Sequence, residues 1–71
     1  IRLGNFGNCR QVGDGVFELK IDFGPGYRVY FCNLSGNRIL ILCAGDKSSQ
    51  RRDIVHAKTF RSIFFRSIQQ P

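Results

Sequence analysis

Residues 16–31 read VFELKIDFGPGYRVYF, and this stretch decides the fold. Positions 17, 19, 21 and 23 are apolar, and the charged residues Glu18, Lys20 and Asp22 lie between them. Alternation with a period of two is typical of a strand that has one dry and one wet side. The segment Gly24-Pro25-Gly26 then breaks the alternation, because proline cannot donate a ladder hydrogen bond and glycine tolerates a tight reversal. The stretch therefore predicts a β-hairpin with a charged face.

The pairing of the two strands follows from the turn. A three-residue loop at residues 24–26 pairs Phe23 with Tyr27 and collects the large apolar side chains on one face, since a one-residue slip would bury the charges. We expect this apolar face to be covered, and Lys20 and Arg28 to lie on the opposite face in water. In the same register Arg28 lies opposite Asp22, and Lys20 lies opposite Tyr30.

The rest of the chain predicts an α+β fold, an antiparallel β-meander of three to four strands with a C-terminal helix. The predicted strands are residues 10–12, 16–23, 27–34 and 38–44, and the last is apolar enough to require cover on both faces. Ser48 or Ser49 is the expected N-cap of a helix over residues 50–68, with Asp53 in its first turn. The expected inward stripe of this helix contains Ile54, Ala57, Phe60 or Arg61, Phe64 and Ile68.

Composition narrows the class of protein. The chain has 71 residues and a net charge of +6, with 11 Lys and Arg against 5 Asp and Glu. Such an excess favours a polyanionic partner, although it is also common in small domains that bind none.

No apolar run reaches the length that spans a membrane, so no membrane association is expected. Cys9, Cys32 and Cys43 lack the spacing of a zinc site or a disulfide framework, which predicts three reduced thiols, no metal and no cofactor.

Three blocks of sequence resemble one known family. These are LGNFG at residues 3–7, GVFELKIDFGPGYRVYF at residues 15–31, and LCAGDKSSQ at residues 42–50 followed by Asp53 and Ile54. Their order and spacing resemble the HigB-like addiction-module killer proteins of the RelE/ParE superfamily, over roughly residues 1–58. Residues 59–71 do not match, and the family's N-terminal helical pair has no counterpart. With a first residue that is not Met, residues 1–71 are expected to form a single truncated RelE/ParE-like toxin domain, with residues 1–3 as the last turn of a lost helix.

The resemblance implies the toxin of a type II toxin–antitoxin module, a cytoplasmic endoribonuclease that cleaves mRNA on the ribosome without a metal. It also implies a cognate antitoxin, of the helix-turn-helix type. RNA cleavage requires a base for the 2′-hydroxyl, cations for the phosphate and an acid for the leaving oxygen. By matching motif, the resemblance assigns catalytic roles to Arg28 of GPGYRVYF and Lys47 of GDKSS. Lys20 is a third catalytic candidate, at a position where close relatives often have Arg.

Four further side chains are candidates for RNA binding: Tyr30, Arg51, Arg52 and His56. Tyr30 is aromatic and would offer a base a stacking surface, although a rim position with its hydroxyl in water is the commoner role. His56 titrates near neutrality and is a candidate acid, or else an ordinary surface residue. Arg28 and Lys47 also have plainer roles open to them, as surface ion pairs with Asp22 and Asp46.

Two other functions remain open at this point. A ParE-like toxin binds DNA gyrase without cleaving RNA, and the same scaffold serves both activities; an inactive remnant is the third alternative. RNA cleavage requires Arg28 and Lys47 in one pocket, whereas gyrase binding depends mainly on the helical portion. The apolar residues at the end of the chain predict marginal stability or self-association. They are Phe60, Ile63, Phe64, Phe65 and Ile68.

Overall fold

The computed structural model describes residues 9–68, which form a four-stranded antiparallel sheet and one helix. The strands are β1 (Cys9–Gly13), β2 (Val16–Ile21), β3 (Tyr27–Ser35) and β4 (Arg38–Asp46), followed by a 3-10 turn (Lys47–Ser49) and helix α1 (Gln50–Ile68). The strands lie in the sheet in chain order. The predicted α+β meander with a C-terminal helix is confirmed. The helix turn expected at residues 1–3 lies outside the described residues.

The hairpin of β2 and β3 differs from the predicted pairing by two residues. Leu19 lies opposite Val29, and Lys20 lies opposite Arg28. The predicted pairing of Lys20 with Tyr30 and of Arg28 with Asp22 is therefore wrong. The reason is that β2 ends at Ile21, and the loop spans residues 22–26 rather than 24–26. A shift of two leaves every side chain on its predicted face, because the side-chain period of a strand is also two.

The helix covers the face that was expected to lie in water. Val16 and Tyr30 are fully buried with Ala57 of α1 in the core, and Val12, Leu42, Cys43 and Ile54 pack around them. Arg28, which was predicted to face water, is only 7% exposed. Burial of this partly charged face is tolerated because Glu18 accepts three hydrogen bonds on it and lies 3.8 Å from Nε of Arg28, which offsets part of the desolvation.

The opposite face of the sheet, here called the open face, carries the large apolar side chains. Phe17 and Phe31 stack on it with ring centroids 5.5 Å apart, and Ile21 and Ile41 are 41% and 62% exposed. Among residues 9–68, no helix packs on this side of the sheet. The prediction that β4 is covered on both faces is therefore wrong for the described part of the chain.

The junction between β4 and α1 is set by Asp46 and Gly45. Asp46 caps the 3-10 turn and accepts hydrogen bonds from the backbone N–H groups of Ser48 and Ser49, so the capping residue lies two or three positions before the serines predicted for that role. Asp53 lies in the first turn of α1 as predicted, and it is buried. A side chain at position 45 would collide with its carboxylate. Glycine at this position therefore lets the helix start approach the strand.

The helix bounds agree with the sequence, and its inward stripe agrees in part. Ala57 is buried, and Ile54 and Phe64 are half-buried. Of the two alternatives at the next position, Arg61 turns inward, whereas Phe60 is 47% exposed. Ile68 is also exposed, at 59%. The three cysteines are free. None of the helical segments described here is long and apolar enough to cross a membrane.

Candidate nucleic-acid interface

A buried carboxylate, Glu18 in the middle of β2, organises the helix-covered face. Its Oε1 accepts a hydrogen bond from Nε of Arg10 at 2.9 Å. Its Oε2 accepts from the hydroxyl of Tyr30 at 3.0 Å and from Nε2 of Gln50 at 2.9 Å. Because Gln50 is the first residue of α1, this carboxylate ties the start of the helix to the sheet. These residues and Arg28 are here called the Glu18 cluster.

The cluster keeps Glu18 ionised and Tyr30 neutral. Burial raises the pKa of Glu18, but hydrogen bonds from Gln50, Arg10 and Tyr30 and the charge of Arg10 outweigh it and leave the pKa below its ordinary value. Burial and the neighbouring Glu18 carboxylate raise the pKa of Tyr30 far above its usual range. At neutral pH the carboxylate therefore accepts, and the phenol stays a hydrogen-bond donor.

Arg28 is held in the cluster without being fully paired. Its side chain is 9% exposed, and its Nε lies 3.8 Å from Oε2 of Glu18, which is close enough for an ion pair but too long for a hydrogen bond. Its Nε and Nη1 are buried and have no hydrogen-bond partner among the described residues. Both donors are closed to solvent, so an anion reaches them only if the side chain moves.

A basic groove opens beside the cluster at the end of β4, and is here called the strand-end groove. It has a volume of about 450 Å3 and is lined by Arg10, Lys47, Ser48, Gln50, Arg51 and Ile54. Arg10 and Gln50 both line the groove and bind Glu18. Three of the lining side chains are cations and none is acidic, so the groove favours an anion.

The structure brings some of the predicted site residues together. Arg28 lies opposite Gly45, two residues before Lys47, so Arg28 and Lys47 lie at the same end of the sheet. They do not share one pocket as expected, because Arg28 is buried and is not among the residues that line the strand-end groove. Lys47 is exposed and lines the groove with Arg51. Lys20 lies opposite Arg28 but is exposed, and its Nζ is 3.8 Å from Oδ1 of Asp22.

The other predicted RNA-binding residues lie elsewhere. The ring of Tyr30 is completely buried, so the expected exposed stacking surface is wrong. Arg52 and His56 are exposed on α1 and do not line the strand-end groove. His56 lies beside Phe60, with ring centroids 6.2 Å apart.

Sequence reasoning missed Arg10, Glu18 and Gln50 as members of the site. Arg10 was placed on a predicted strand without a role, and Glu18 was taken only as one of the charged residues of the hairpin. The signal that could have found them is the pairing of β1 with β2, which sets Arg10 opposite Glu18. Across residues 9–68, no group of three or more His, Cys, Asp or Glu side chains is arranged to hold a metal ion. The polar side chains that line the groove are three cations, the amide of Gln50 and the hydroxyl of Ser48.

Comparison with known proteins gives a family and a relative. Residues 5–63 match the family described as "Phage derived protein Gp49-like (DUF891)", which is a known addiction-module killer, RelE-like family and is consistent with the toxin of a toxin–antitoxin module. An uncharacterized protein of Haemophilus influenzae (strain ATCC 51907 / DSM 11121 / KW20 / Rd) is 53% identical over 58 residues, which are 82% of this chain and 59% of the relative. The chain thus spans about three fifths of that relative's length. No solved structure matches.

Proposed function

This chain belongs to the phage-derived Gp49-like family, and we propose that it is the toxin of a type II toxin–antitoxin module that cleaves mRNA on the ribosome. The proposed reaction is attack of a 2′-hydroxyl on the adjacent phosphate, with loss of the 5′-oxygen and no resident metal. Its partners are the message, the ribosome and a cognate antitoxin of the helix-turn-helix type, and its compartment is the cytoplasm.

The observation that carries the proposal is the strand-end groove. It gathers Arg10, Lys47 and Arg51 around one opening without an acidic lining residue. Cleavage of RNA places additional negative charge on the phosphate in the transition state, and fixed cations stabilise that charge without rearranging. A groove of this kind supports phosphoryl chemistry more directly than the net charge of the chain does.

The proposed roles follow from position. Lys47 lies in the 3-10 turn that leads into α1, and its exposed side chain lines the groove. Arg51 and Arg10 hold the neighbouring phosphates. Arg28 retains unpaired donors behind the groove, and Glu18 holds its guanidinium in place. Lys20, which is exposed next to Asp22, contacts the RNA outside the groove rather than the reacting phosphate.

The test is single-turnover cleavage of a ribosome-bound message. Lys47→Gln should cleave about 100-fold more slowly, which is the cost of losing one preorganised electrostatic donor. Arg38→Gln is the matched control, because Arg38 is exposed at the opposite end of β4 and its loss changes the net charge equally. If Lys47→Gln and Arg51→Gln both cleave the message at the full rate, the reaction does not take place in this groove.

The gyrase-binding alternative is an outcome of the same experiment. Val55 and Ile63 are 60% and 52% exposed on α1, and apolar helix residues of this kind suit a protein partner. If the protein cleaves no message but inhibits DNA supercoiling by gyrase, and Val55→Ser weakens that inhibition, the ribonuclease proposal is overturned.

A further inference from the structure

A second basic groove lies between the β1–β2 turn and the later half of α1, and is here called the turn groove. Its volume is about 480 Å3, and it is lined by Asp14, Lys58, Arg61, Ser62, Phe65 and Arg66. None of these residues belongs to the strand-end groove. Three cations face one carboxylate, that of Asp14, which is 75% exposed and lies 3.8 Å from Nζ of Lys58.

The backbone of the turn makes room for the helix cations. Gly13 and Gly15 have positive φ angles of 103° and 77°, and Asp14 between them has a φ of 53°. A Cβ atom at position 15 would lie 2.8 Å from the guanidinium of Arg61. The glycines therefore serve two purposes, since they permit the turn and they let Arg61 pack against it.

Arg61 and Phe65 form a composite surface inside this groove. The guanidinium carbon of Arg61 lies 4.6 Å from the ring centroid of Phe65. Nε of Arg61 is buried and has no hydrogen-bond partner among the described residues. Cations interleaved with an aromatic ring are the composition of grooves that bind single-stranded nucleic acid, where bases stack and phosphates pair with Lys and Arg.

The two grooves lie on one line. One side of α1 lines both grooves. It carries Arg51 in the strand-end groove and Lys58, Ser62 and Phe65 in the turn groove. Successive members of this series are seven, four and three residues apart, a spacing that keeps them on one side of a helix. On the facing side, β1 supplies Arg10 to the first groove and leads to Asp14 in the second. From Arg51 to Ser62 the helix rises by about 16 Å, at about 1.5 Å per residue. About five stacked nucleotides, at roughly 3.4 Å each, cover that distance.

We propose that the turn groove binds a second segment of the same RNA strand, with phosphates on Lys58 and Arg66 and a base stacked on the Arg61–Phe65 pair. This inference rests on the proposed function, because it takes the ligand of the strand-end groove to be RNA. It adds a binding site that lies away from the reacting phosphate and that sets which stretch of the message is held.

Binding without cleavage tests the inference. We would titrate the protein into a fluorescently labelled 12-nucleotide RNA with 2′-O-methyl groups, which cannot undergo the 2′-hydroxyl reaction, and follow the anisotropy. Arg66→Gln should bind about fivefold more weakly at 0.1 M salt, with the slope of log K against log salt reduced by about 0.7, the contribution of one phosphate contact on a single strand. Phe65→Leu should also lose about fivefold or more.

Matched controls lie outside both grooves. Arg38→Gln removes an equal charge, and Phe60→Leu shortens an equal aromatic; both residues are exposed and line neither groove. Circular dichroism checks that all four variants are folded. Equal binding by Arg66→Gln and Arg38→Gln overturns the inference, as does the absence of RNA binding by the unmodified protein.

Two further outcomes decide the ligand of the turn groove and its independence from the reaction. If a glutamate-rich peptide binds as tightly as the RNA, with the same dependence on Arg66, the groove is a site for an acidic polypeptide and the RNA assignment is wrong. If Arg66→Gln weakens RNA binding while Lys47→Gln cleaves the ribosome-bound message at full rate, the turn groove stands and the proposed reaction fails.

Discussion

The two faces of the sheet differ in the polarity of their central side chains and in whether α1 covers them. The face under α1 has Glu18 and Arg28 at its centre, 3% and 7% exposed. The open face carries Phe17, Leu19, Val29 and Phe31, yet no helix among the described residues packs on it. An apolar pattern thus identifies which side chains share a face, but not which face the helix of this chain covers.

What decides the covered face is satisfaction of polar groups rather than hydrophobicity alone. Glu18 accepts hydrogen bonds from three side chains, which come from β1, β3 and α1. Each bond offsets part of the cost of removing the carboxylate from water. Fully buried Val16 and Tyr30 supply the apolar area that the same face needs.

The largest effect is expected from the loss of Glu18, which would destabilise the packing of the covered face and leave the open face unchanged. Glu18→Gln should lower the free energy of unfolding by about 3 kcal/mol, because Arg28 would remain buried without its counter-charge. Urea denaturation measures the change. Lys20→Gln, on the same strand and the same side of the sheet but exposed, should cost less than about 0.5 kcal/mol. Equal midpoints for the two variants would contradict the role given to Glu18 on the covered face.

A somewhat smaller effect is expected at Gly45, against which the first turn of α1 packs. A methyl group at this position would displace the carboxylate of Asp53, so Gly45→Ala should cost about 2 kcal/mol. A double-mutant cycle sharpens this prediction. In an Asp53→Ala background the same Gly45→Ala change should cost less, because the colliding carboxylate is absent. Additive costs would place the strain elsewhere.

Acid should weaken the covered face selectively. The pKa of Glu18 in the folded protein lies below its ordinary value of 4.5, so the stabilisation by its charge is present above pH 4.5 and is lost as pH falls through the folded pKa. Asp46, whose pKa is lowered by hydrogen bonds from Ser48, acts in the same direction. We expect urea midpoints to fall less steeply from about pH 5 to about pH 3 in Glu18→Gln than in the unmodified protein. Parallel curves would mean that Glu18 contributes no pH dependence.

The smallest effect is expected on the open face. Ile41 is 62% exposed, so Ile41→Thr should change the free energy of unfolding by less than about 0.5 kcal/mol. Sedimentation of the same samples reports whether copies of the chain associate, which stays a prediction from the apolar surface. A loss of about 2 kcal/mol or more in Ile41→Thr would show that this face is covered in solution.

Much of the architecture was predictable from local pattern. The alternation in residues 16–31 predicted β2 and β3, and the period and charge distribution after residue 49 predicted α1 with the bounds that the structure shows. These features depend on neighbouring residues and on strand or helix geometry alone. The hairpin register was wrong by two positions, because where a strand ends depends on hydrogen bonds inside the loop, such as those of Phe23 and Gly26.

The site was less predictable because it is assembled from distant residues. Lys47 and Arg28 were identified from motifs, and the structure places them at the same end of the sheet. The burial of Arg28 and Tyr30 was missed because it depends on the face of the sheet on which α1 packs, where Ala57 joins Tyr30 in the core. No local pattern in the sequence states that a glutamate on a strand will be hydrogen-bonded by a glutamine 32 residues later.

That separation also has a consequence for the order of events during synthesis. The strands lie in the sheet in chain order, so successive hairpins can close in roughly 1–10 μs once they have left the ribosome. At a synthesis rate of about 5–20 residues per second, Gln50 follows Glu18 by roughly 2–6 s. During that interval β3 and β4 are still being synthesised, and Glu18 lacks the hydrogen bond that fixes the helix start. The strand-end groove is therefore completed only after the four strands have been synthesised, and a nascent chain released before residue 50 lacks two or more of the residues that line it.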